Sequence, residues 1–167
     1  MYDKITLKDV KRMEEEIEYR KLVVRKEALE DVKVARAHGD LSENFEYKAA
    51  KQYKNQNESR IRYLERMIKT AQIIPEDSNS DEVGLNDRVT IYYPDDEEEE
   101  LVKIVTTVRS NSLNKKISID SPLGKAILHH KVNDTVTVKV SDTCSYNVII
   151  RNIEKLEDNG EDELRKY

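Results

Sequence analysis

Several residue types are scarce in this chain of 167 residues, and their scarcity excludes whole classes of protein. Cys144 is the only cysteine, so neither an internal disulfide nor a cysteine-rich zinc site is possible. No apolar run approaches the roughly 18 residues that suggest a membrane span. The N-terminus is charged from its third residue and has no apolar core of signal-peptide type. We therefore expect a soluble, cytoplasmic protein with no membrane association.

Charged residues, by contrast, are abundant and unevenly divided along the chain. They make up 38% of the sequence, so much of the chain must face solvent. Residues 1–75 contain 17 Lys and Arg against 14 Asp and Glu, whereas residues 76–167 contain 12 against 20. This difference indicates two modules with different partners. The net charge of -5 argues against indiscriminate binding to duplex DNA.

Two long helical patterns occupy residues 1–75. Their apolar residues recur at steps of three, four or seven, as in a coiled-coil seam. The two seams are Val10, Met13, Ile17, Val24, Ala28, Val32 and Ala35, and then Ala50, Tyr53, Asn57, Ile61, Leu64, Ile68 and Ala71. Because two such stripes can bury their faces only against each other, they predict an antiparallel hairpin about 45 Å long. The polar positions Arg20 and Asn57 are expected to fix its register at some cost in stability.

A change of periodicity marks a second module after a linker at residues 76–84. Short β-rich runs and turn signals fill residues 85–156, and one short helix fits between Ser121-Pro122 and Lys131. The predicted strands are Arg88–Tyr93, Leu101–Arg109, Lys116–Asp120, Thr135–Val140 and Tyr146–Ile153. The sequence thus predicts an α+β protein, with a helical hairpin followed by a small antiparallel sheet. We expect a solvated hairpin loop at Asp95–Glu100 and a frayed acidic tail at residues 157–167.

The stretch His38–Lys51, HGDLSENFEYKAAK, is the most informative part of the chain. It places two carboxylates, Asp40 and Glu43, at a glycine-opened turn near residues 39–44, at the tip of the hairpin. One interpretation is a capping box, in which both acids stabilise the start of the second helix. The other is metal binding, because a metal ion is the usual recipient of such concentrated negative charge. The spacing alone leaves both open.

Basic and aromatic residues surround this turn. The basic residues are Arg36, Lys48, Lys51 and Lys54. They form either a solvated helix face paired with acids such as Glu46, or a flank that guides a polyanion through phosphate contacts. Phe45 and Tyr47 are candidates for stacking on a base.

Two segments resemble signatures of one protein family. GDLSENFEYKAAK resembles the coiled-coil tip of the bacterial Gre transcript-cleavage factors, and Ile117–Val138 is similar to the second signature of that family. The resemblance implies an FKBP-like fold for the second module. It also implies an elongation factor that inserts its coiled coil into the secondary channel of RNA polymerase. There it stimulates the polymerase to cleave the extruded RNA 3′ end of a backtracked complex, without being an enzyme itself.

The resemblance also implies roles for individual residues. Asp40 and Glu43 are expected to help hold a Mg²⁺ ion shared with the polymerase active site, and to orient a water molecule. Two exposed carboxylates are not expected to hold Mg²⁺ tightly in the free protein. The expected RNA contacts are Arg36, Lys48 and Lys51, and the expected polymerase-docking residues are Asp120, Ser121 and Pro122. We expect the protein to be a monomer.

The sequence departs from the family pattern at a few positions. Phe45 stands where a small residue is usual, and Asn133 replaces a glycine but can still adopt a left-handed turn. Two other functions fit a hairpin of this shape. One is a regulator that enters the polymerase channel and inhibits without promoting cleavage. The other is a coiled-coil adaptor or chaperone that needs no carboxylates at its tip.

Overall fold

The computed structural model describes residues 2–39, 44–76, 79–160 and 162–166. The chain divides into two compact units, with Lys8–Ala71 forming nearly all of the first. The second consists mainly of Asp3–Leu7 together with Gln72–Arg165. A short parallel pair links these two stretches, because β1 (Lys4–Ile5) bonds to β2 (Gln72–Ile73). Residues 3–7, which precede most of the first helix, thus pack with the second unit.

The first unit is a helical hairpin, as the sequence predicts. Its first arm runs through α1 (Leu7–Tyr19), a π-helical turn (Arg20–Val24) and α2 (Arg25–Arg36), and its second arm is α3 (Phe45–Thr70). Contacts between the arms join residues 35 and 44, 25 and 58, and 21 and 65. Because the numbers rise on one arm as they fall on the other, the arms are antiparallel.

Apolar side chains fill the space between the arms. The buried ones are Met13, Val24, Ala28, Val32 and Ala35 on the first arm, and Ile61, Leu64 and Met67 on the second. The predicted seam is therefore confirmed over most of its length. Two positions differ, since Tyr53 is 49% exposed and Met67 is buried where Ile68 was expected. An α-helix drifts relative to a strict seven-residue repeat, which shifts the buried stripe toward neighbouring positions.

The two polar residues of the seam pair with each other. The guanidinium of Arg20 donates to Asn57 Oδ1 at 3.0 Å, and Asn57 Nδ2 donates to the Arg20 carbonyl at 3.3 Å. The same carbonyl accepts the Arg25 N–H, five residues on, at the end of the π-helical turn. The turn and the polar pair thus share one backbone acceptor, which places the irregularity of the first arm opposite Asn57.

The second unit contains a five-stranded sheet of order β5-β4-β3-β7-β6. Its strands are β3 (Arg88–Tyr93), β4 (Glu98–Val105), β5 (Lys116–Ser118), β6 (Thr135–Lys139) and β7 (Ser145–Glu154). Three pairings are antiparallel, whereas β4 and β5 are parallel, with Lys103 opposite Lys116. The α+β class is confirmed, but the sheet is mixed rather than fully antiparallel. The alternation of apolar and polar residues predicts which side chains face the core, but it does not predict whether neighbouring strands run parallel or antiparallel.

A short helix, α4 (Pro122–Ile127), covers one face of this sheet. Ile127 is fully buried and Leu123 packs against the same core, which includes Val89, Ile91 and Ile150. The helix ends before the predicted Lys131, because the chain turns through His129, whose φ is +67°. Asn133 has φ +75°, which confirms the predicted left-handed turn.

Two acidic segments differ from their predictions. β4 begins at Glu98, so the second half of the run Asp95–Glu100 is strand rather than loop. Glu100 accepts a hydrogen bond from the Tyr93 hydroxyl at 2.7 Å and pairs with Lys115 at 2.6 Å. The prediction of a frayed tail is wrong for Asp162, which is 3% exposed and ion-paired. Within the described ranges, no helix has the length and apolarity needed to cross a membrane.

Candidate functional site

The turn of the hairpin is described on both sides of its acidic tip. The last turn of α2 closes through Ala37 and His38, whose amides bond to carbonyls at residues 33–35. Gly39 follows with φ +113°, a conformation that favours glycine. Asp40 and Glu43, the predicted metal and water ligands, lie outside the described residues. Among the residues that are described, no cluster of three or more His, Cys, Asp or Glu side chains forms a metal site.

The start of α3 is capped by Asn44. Its Oδ1 accepts the Tyr47 N–H at 3.0 Å, which satisfies one of the free amides of the first turn. Its Nδ2 donates to the Ala35 carbonyl at 2.7 Å, so the same side chain ties the two arms together. The residue that caps α3 is thus Asn44, and the helix begins at Phe45.

Arg36 and Tyr47 form a pair beside the turn. The guanidinium lies 5.6 Å from the centre of the Tyr47 ring, in the range of a cation–π contact. It also lies 3.5 Å from the Tyr47 hydroxyl. This contact, followed by the charges of Lys51 and Lys54, lowers the pKa of Tyr47. Three cations, Arg36, Lys51 and Lys54, thus lie near the Tyr47 ring on this face of the hairpin.

Lys48 and Lys51 continue this basic surface along α3. Both are exposed, and Lys48 Nζ lies 5.6 Å from the centre of the Phe45 ring. Phe45 itself is 79% exposed at the first helical position. Within the described part of the chain, no carboxylate pairs with Arg36, Lys48 or Lys51. The structure thus brings the three predicted RNA-contacting residues to one end of the hairpin as exposed cations beside an exposed aromatic ring.

The predicted docking residues form a hydrogen-bonded turn between β5 and α4. Ser121 caps α4, since its Oγ accepts the Gly124 N–H at 3.0 Å and donates to the Ser118 carbonyl at 2.7 Å. Pro122 occupies the first helical position, where its missing N–H costs nothing. The amide of Asp120 donates to Ser118 Oγ at 3.0 Å. We call residues 118–124 the docking loop.

Gly124 allows this loop to close. A Cβ added there would lie 2.0 Å from the Ser118 carbonyl oxygen, so no side chain fits. The loop also receives support from Thr107, whose hydroxyl donates to Asp120 Oδ2 at 3.0 Å and lies 2.8 Å from Ser118 Oγ. Sequence reasoning missed both Asn44 and Thr107. Asn44 carries a usable signal, since asparagine directly before a helical pattern is a preferred cap, whereas nothing in the sequence marks Thr107.

Two family models match most of the chain. The model described as "Transcription elongation factor, N-terminal" matches residues 4–73, and "Transcription elongation factor, GreA/GreB, C-term" matches residues 77–155. Both describe transcription elongation factors. The boundary between the two matches falls close to the end of the helical hairpin.

Individual relatives agree with these models. The chain is 43% identical to transcription elongation factor GreA of Bacillus subtilis over 135 residues, which cover 81% of this chain and 86% of that protein. It is 40% identical to the GreA of Streptococcus sanguinis over 152 residues, 90% and 94% of the two chains. A solved structure, GreA factor homolog 1 of Thermus thermophilus, aligns at 27% identity and a TM-score of 0.43, covering 93% of this chain and 100% of that one.

The class of protein is thus a transcription elongation factor. The chain belongs to the GreA/GreB family, on the strength of both family models and of relatives that match most of its length.

Proposed function

We propose that this elongation factor acts on RNA polymerase by inserting its hairpin tip into the secondary channel. There it stimulates the polymerase's own cleavage of backtracked RNA and does not hydrolyse RNA itself. One observation carries the proposal. Asn44 caps α3, so that role does not fall to Asp40, and the turn that holds Asp40 and Glu43 is flanked by exposed cations.

The two tip carboxylates are the proposed chemical groups. Carboxylate oxygens suit Mg²⁺, but two of them fill only part of its preferred octahedral shell. Asp40 and Glu43 would therefore contribute to an ion whose other ligands come from the polymerase, and the ion would supply positive charge beside the RNA phosphate. We expect the same carboxylates to orient the attacking water.

The basic residues at the turn are the proposed contacts to the RNA 3′ end. Arg36, Lys48 and Lys51 carry positive charge in the part of the hairpin that adjoins the tip. Cations of this kind hold phosphates without reading the sequence of bases, which suits a factor that must act at any backtracked site. They also offset the repulsion between the tip carboxylates and the RNA.

The docking loop is the proposed contact with the rim of the channel. Its backbone is fixed by Ser118, Ser121 and Gly124, so little conformational entropy is lost when it binds. We infer that one copy of the protein acts on one polymerase, as a monomer.

The test uses a stalled, backtracked elongation complex with 5′-labelled RNA and Mg²⁺. The wild-type protein should shorten the RNA promptly, whereas the Asp40→Asn, Glu43→Gln double variant should do so about a hundredfold more slowly or worse. The matched control is Glu46→Gln, which removes an exposed carboxylate from the first turn of α3 and should leave the rate unchanged.

The same experiment separates the other functions. A channel-blocking regulator would slow nucleotide addition and release no short 3′ RNA fragments. An adaptor or chaperone would not bind the elongation complex, and the double variant would behave as the wild type in every assay. Cleavage by the double variant at the wild-type rate would remove Asp40 and Glu43 from the mechanism.

A further inference from the structure

The C-terminal residues of this chain extend past the family match and pack against the sheet. The second family model ends at residue 155. We call the following residues, 156–160 and 162–165, the C-terminal strap. The strap begins where the Leu156 amide donates to Asp87 Oδ1 at 3.2 Å, and it ends where the Arg165 amide donates to the Val108 carbonyl at 2.6 Å.

Two aspartates attach the strap through ion pairs. Asp158 Oδ1 accepts from Arg109 Nη1 at 2.9 Å. Asp162 bridges two lysines, with its oxygens 2.6 Å from Lys103 Nζ and 2.8 Å from Lys116 Nζ. Gly160 lies between the two aspartates with φ +80°, and its amide donates to Asp158 Oδ1 at 2.9 Å. Asp158 Oδ1 thus accepts hydrogen bonds from both the Arg109 guanidinium and the backbone amide of Gly160.

These ion pairs are shielded from water. The side chains of Arg109 and Asp158 are 3% and 6% exposed, and that of Asp162 is 4% exposed. Burial alone would raise the pKa of Asp162, but its bonds to Lys103 and Lys116 outweigh burial and lower the pKa. Removing one partner would leave a buried charge without compensation, which is far costlier than breaking a surface pair. Removing either aspartate should therefore weaken the attachment of the strap.

Two basic partners of the strap, Arg109 and Lys116, lie on short elements that adjoin the docking loop. Arg109 ends a short 3₁₀ helix that begins at Thr107, and the strap holds both Arg109 and Val108 of this helix. Lys116 is the first residue of β5, whose last residue, Ser118, opens the docking loop. The strap therefore contacts both the 3₁₀ helix and β5, the two short elements that support the loop.

Hydrogen bonds continue from those elements into the loop. Thr107 Oγ1 donates to Asp120 Oδ2 at 3.0 Å and lies 2.8 Å from Ser118 Oγ. Ser118 in turn accepts the Asp120 amide on its hydroxyl and the Ser121 hydroxyl on its carbonyl. A continuous set of contacts thus runs from Asp158 and Asp162, through the 3₁₀ helix and β5, to Asp120 and Ser121.

We propose that the C-terminal strap positions the docking loop for binding to RNA polymerase, with Asp158, Asp162 and Thr107 as positioning residues. The inference rests on the proposed docking role of the loop. A loop that is held in its bound conformation before the encounter binds more tightly, because less conformational freedom is lost. The strap raises affinity for the polymerase and takes no part in the chemistry at the hairpin tip.

The first test needs no polymerase. Amide hydrogen exchange in the free protein is compared for the wild type, Asp158→Asn and Asp162→Asn. The amides of Asp120, Ser121 and Gly124 are hydrogen-bonded within the loop and should exchange roughly fivefold faster or more in both variants. Unchanged exchange at these three amides would overturn the positioning role, whatever the protein's function.

The second test measures cleavage of backtracked RNA as a function of factor concentration. Both variants should raise the half-saturating concentration roughly fivefold or more and leave the rate at saturation unchanged. Thr107→Val removes the hydroxyl that joins the 3₁₀ helix to the loop with little change of shape, and should have the same effect. Asp158 and Thr107 belong to one set of contacts. The double variant Asp158→Asn, Thr107→Val should therefore have a half-saturating concentration no higher than that of the more affected single variant.

Two controls separate positioning from general destabilisation. Asp142→Asn breaks an ion pair between the exposed side chains of Lys139 and Asp142 in the same unit and should change neither readout. Val89→Ala creates a cavity in the core of the sheet and lowers the thermal midpoint, but it removes none of the ion pairs and hydrogen bonds that join the strap to the loop. If Val89→Ala raised the half-saturating concentration as much as Asp158→Asn, the effect would follow stability and the proposal would fail.

The outcomes also distinguish this proposal from the proposed function. A wild-type protein that neither binds polymerase nor stimulates cleavage would overturn the proposed function and, with it, the docking role assigned here. Faster exchange in the loop with unchanged half-saturating concentration would overturn the strap's role in docking while leaving tip-stimulated cleavage intact.

Discussion

At the scale of single side chains, Asn44 fixes the chain where it leaves the hairpin tip. Its amide group caps α3 through Oδ1 and bonds to the Ala35 carbonyl of the other arm through Nδ2. Both contacts lie directly after residue 43, so they fix the point at which the chain leaves the tip. A tip that is held at its base presents its carboxylates with less loss of conformational freedom.

Asn44→Ala should lower the free energy of unfolding of the hairpin by about 1 kcal/mol, the usual cost of losing a helix cap. Urea denaturation followed by circular dichroism measures this change. The comparison variant is Asn44→Ser, whose hydroxyl can still cap the helix but cannot reach across to Ala35. Asn44→Ser should therefore recover most of the stability. If it recovered none, the contact between the arms would outweigh the cap.

Among the elements, the first arm of the hairpin is distinguished by its π-helical turn at Arg20–Val24. The turn faces Asn57, whose side chain is 3% exposed and bonds to both the guanidinium and the carbonyl of Arg20. Glu16 accepts further bonds from Arg20 and from the buried Arg60. The seam thus contains one layer of polar groups that satisfy one another, between layers of apolar side chains.

Asn57→Leu should destabilise the hairpin by about 1–3 kcal/mol, because the Nη1 group and the carbonyl of Arg20 each lose a hydrogen bond to Asn57 in the seam. Replacing both residues, as in Arg20→Met, Asn57→Leu, should recover much of that loss, since an apolar layer can substitute for a buried polar one. Thermal or urea unfolding of the two single variants and the double variant measures the coupling. Strictly additive losses would contradict the pairing of Arg20 with Asn57.

Across the whole chain, carboxylates held by cations set the response to acid. The pKa is lowered for Glu16 by Arg60 and Arg20 despite burial, for Glu58 by Arg25, and for Asp162 by Lys103 and Lys116 despite burial. A carboxylate with a lowered pKa in the folded state stabilises that state fully above its ordinary pKa, 4.5 for Glu and 3.8 for Asp. This contribution disappears as the pH falls through the folded-state pKa.

The thermal midpoint should therefore stay level from neutral pH down to about pH 5 and fall steadily below that. Circular dichroism melts at a series of pH values between 7 and 3 test this expectation. Asp162→Asn should melt at a lower temperature at neutral pH and show a smaller further loss in acid, because its contribution is already absent. A midpoint that rises on acidification would show that repulsion among the 34 acidic residues outweighs the ion pairs.

The sequence determined most of the elements and the position of the tip, although residues 107–109, predicted as strand, form a 3₁₀ helix. Seams of period 3.5 predict two helices of matching length, alternation predicts β3 at Arg88–Tyr93, and the signature around Asp40 and Glu43 indicates the family. These features follow from local periodicity and motif spacing, which need no knowledge of distant contacts. The polar residues Arg20 and Asn57 were likewise visible as interruptions of the seams.

Only the tertiary structure decided how distant residues meet. It paired β5 in parallel with β4, placed Asn44 rather than Asp40 at the start of α3, and attached Asp162 to lysines 59 and 46 residues earlier in the chain. An acidic segment after the last strand has the composition of a frayed tail. In the folded protein it packs against the sheet, because the fold brings Lys103, Arg109 and Lys116 close enough to pair with its aspartates. No local sequence pattern predicts that proximity.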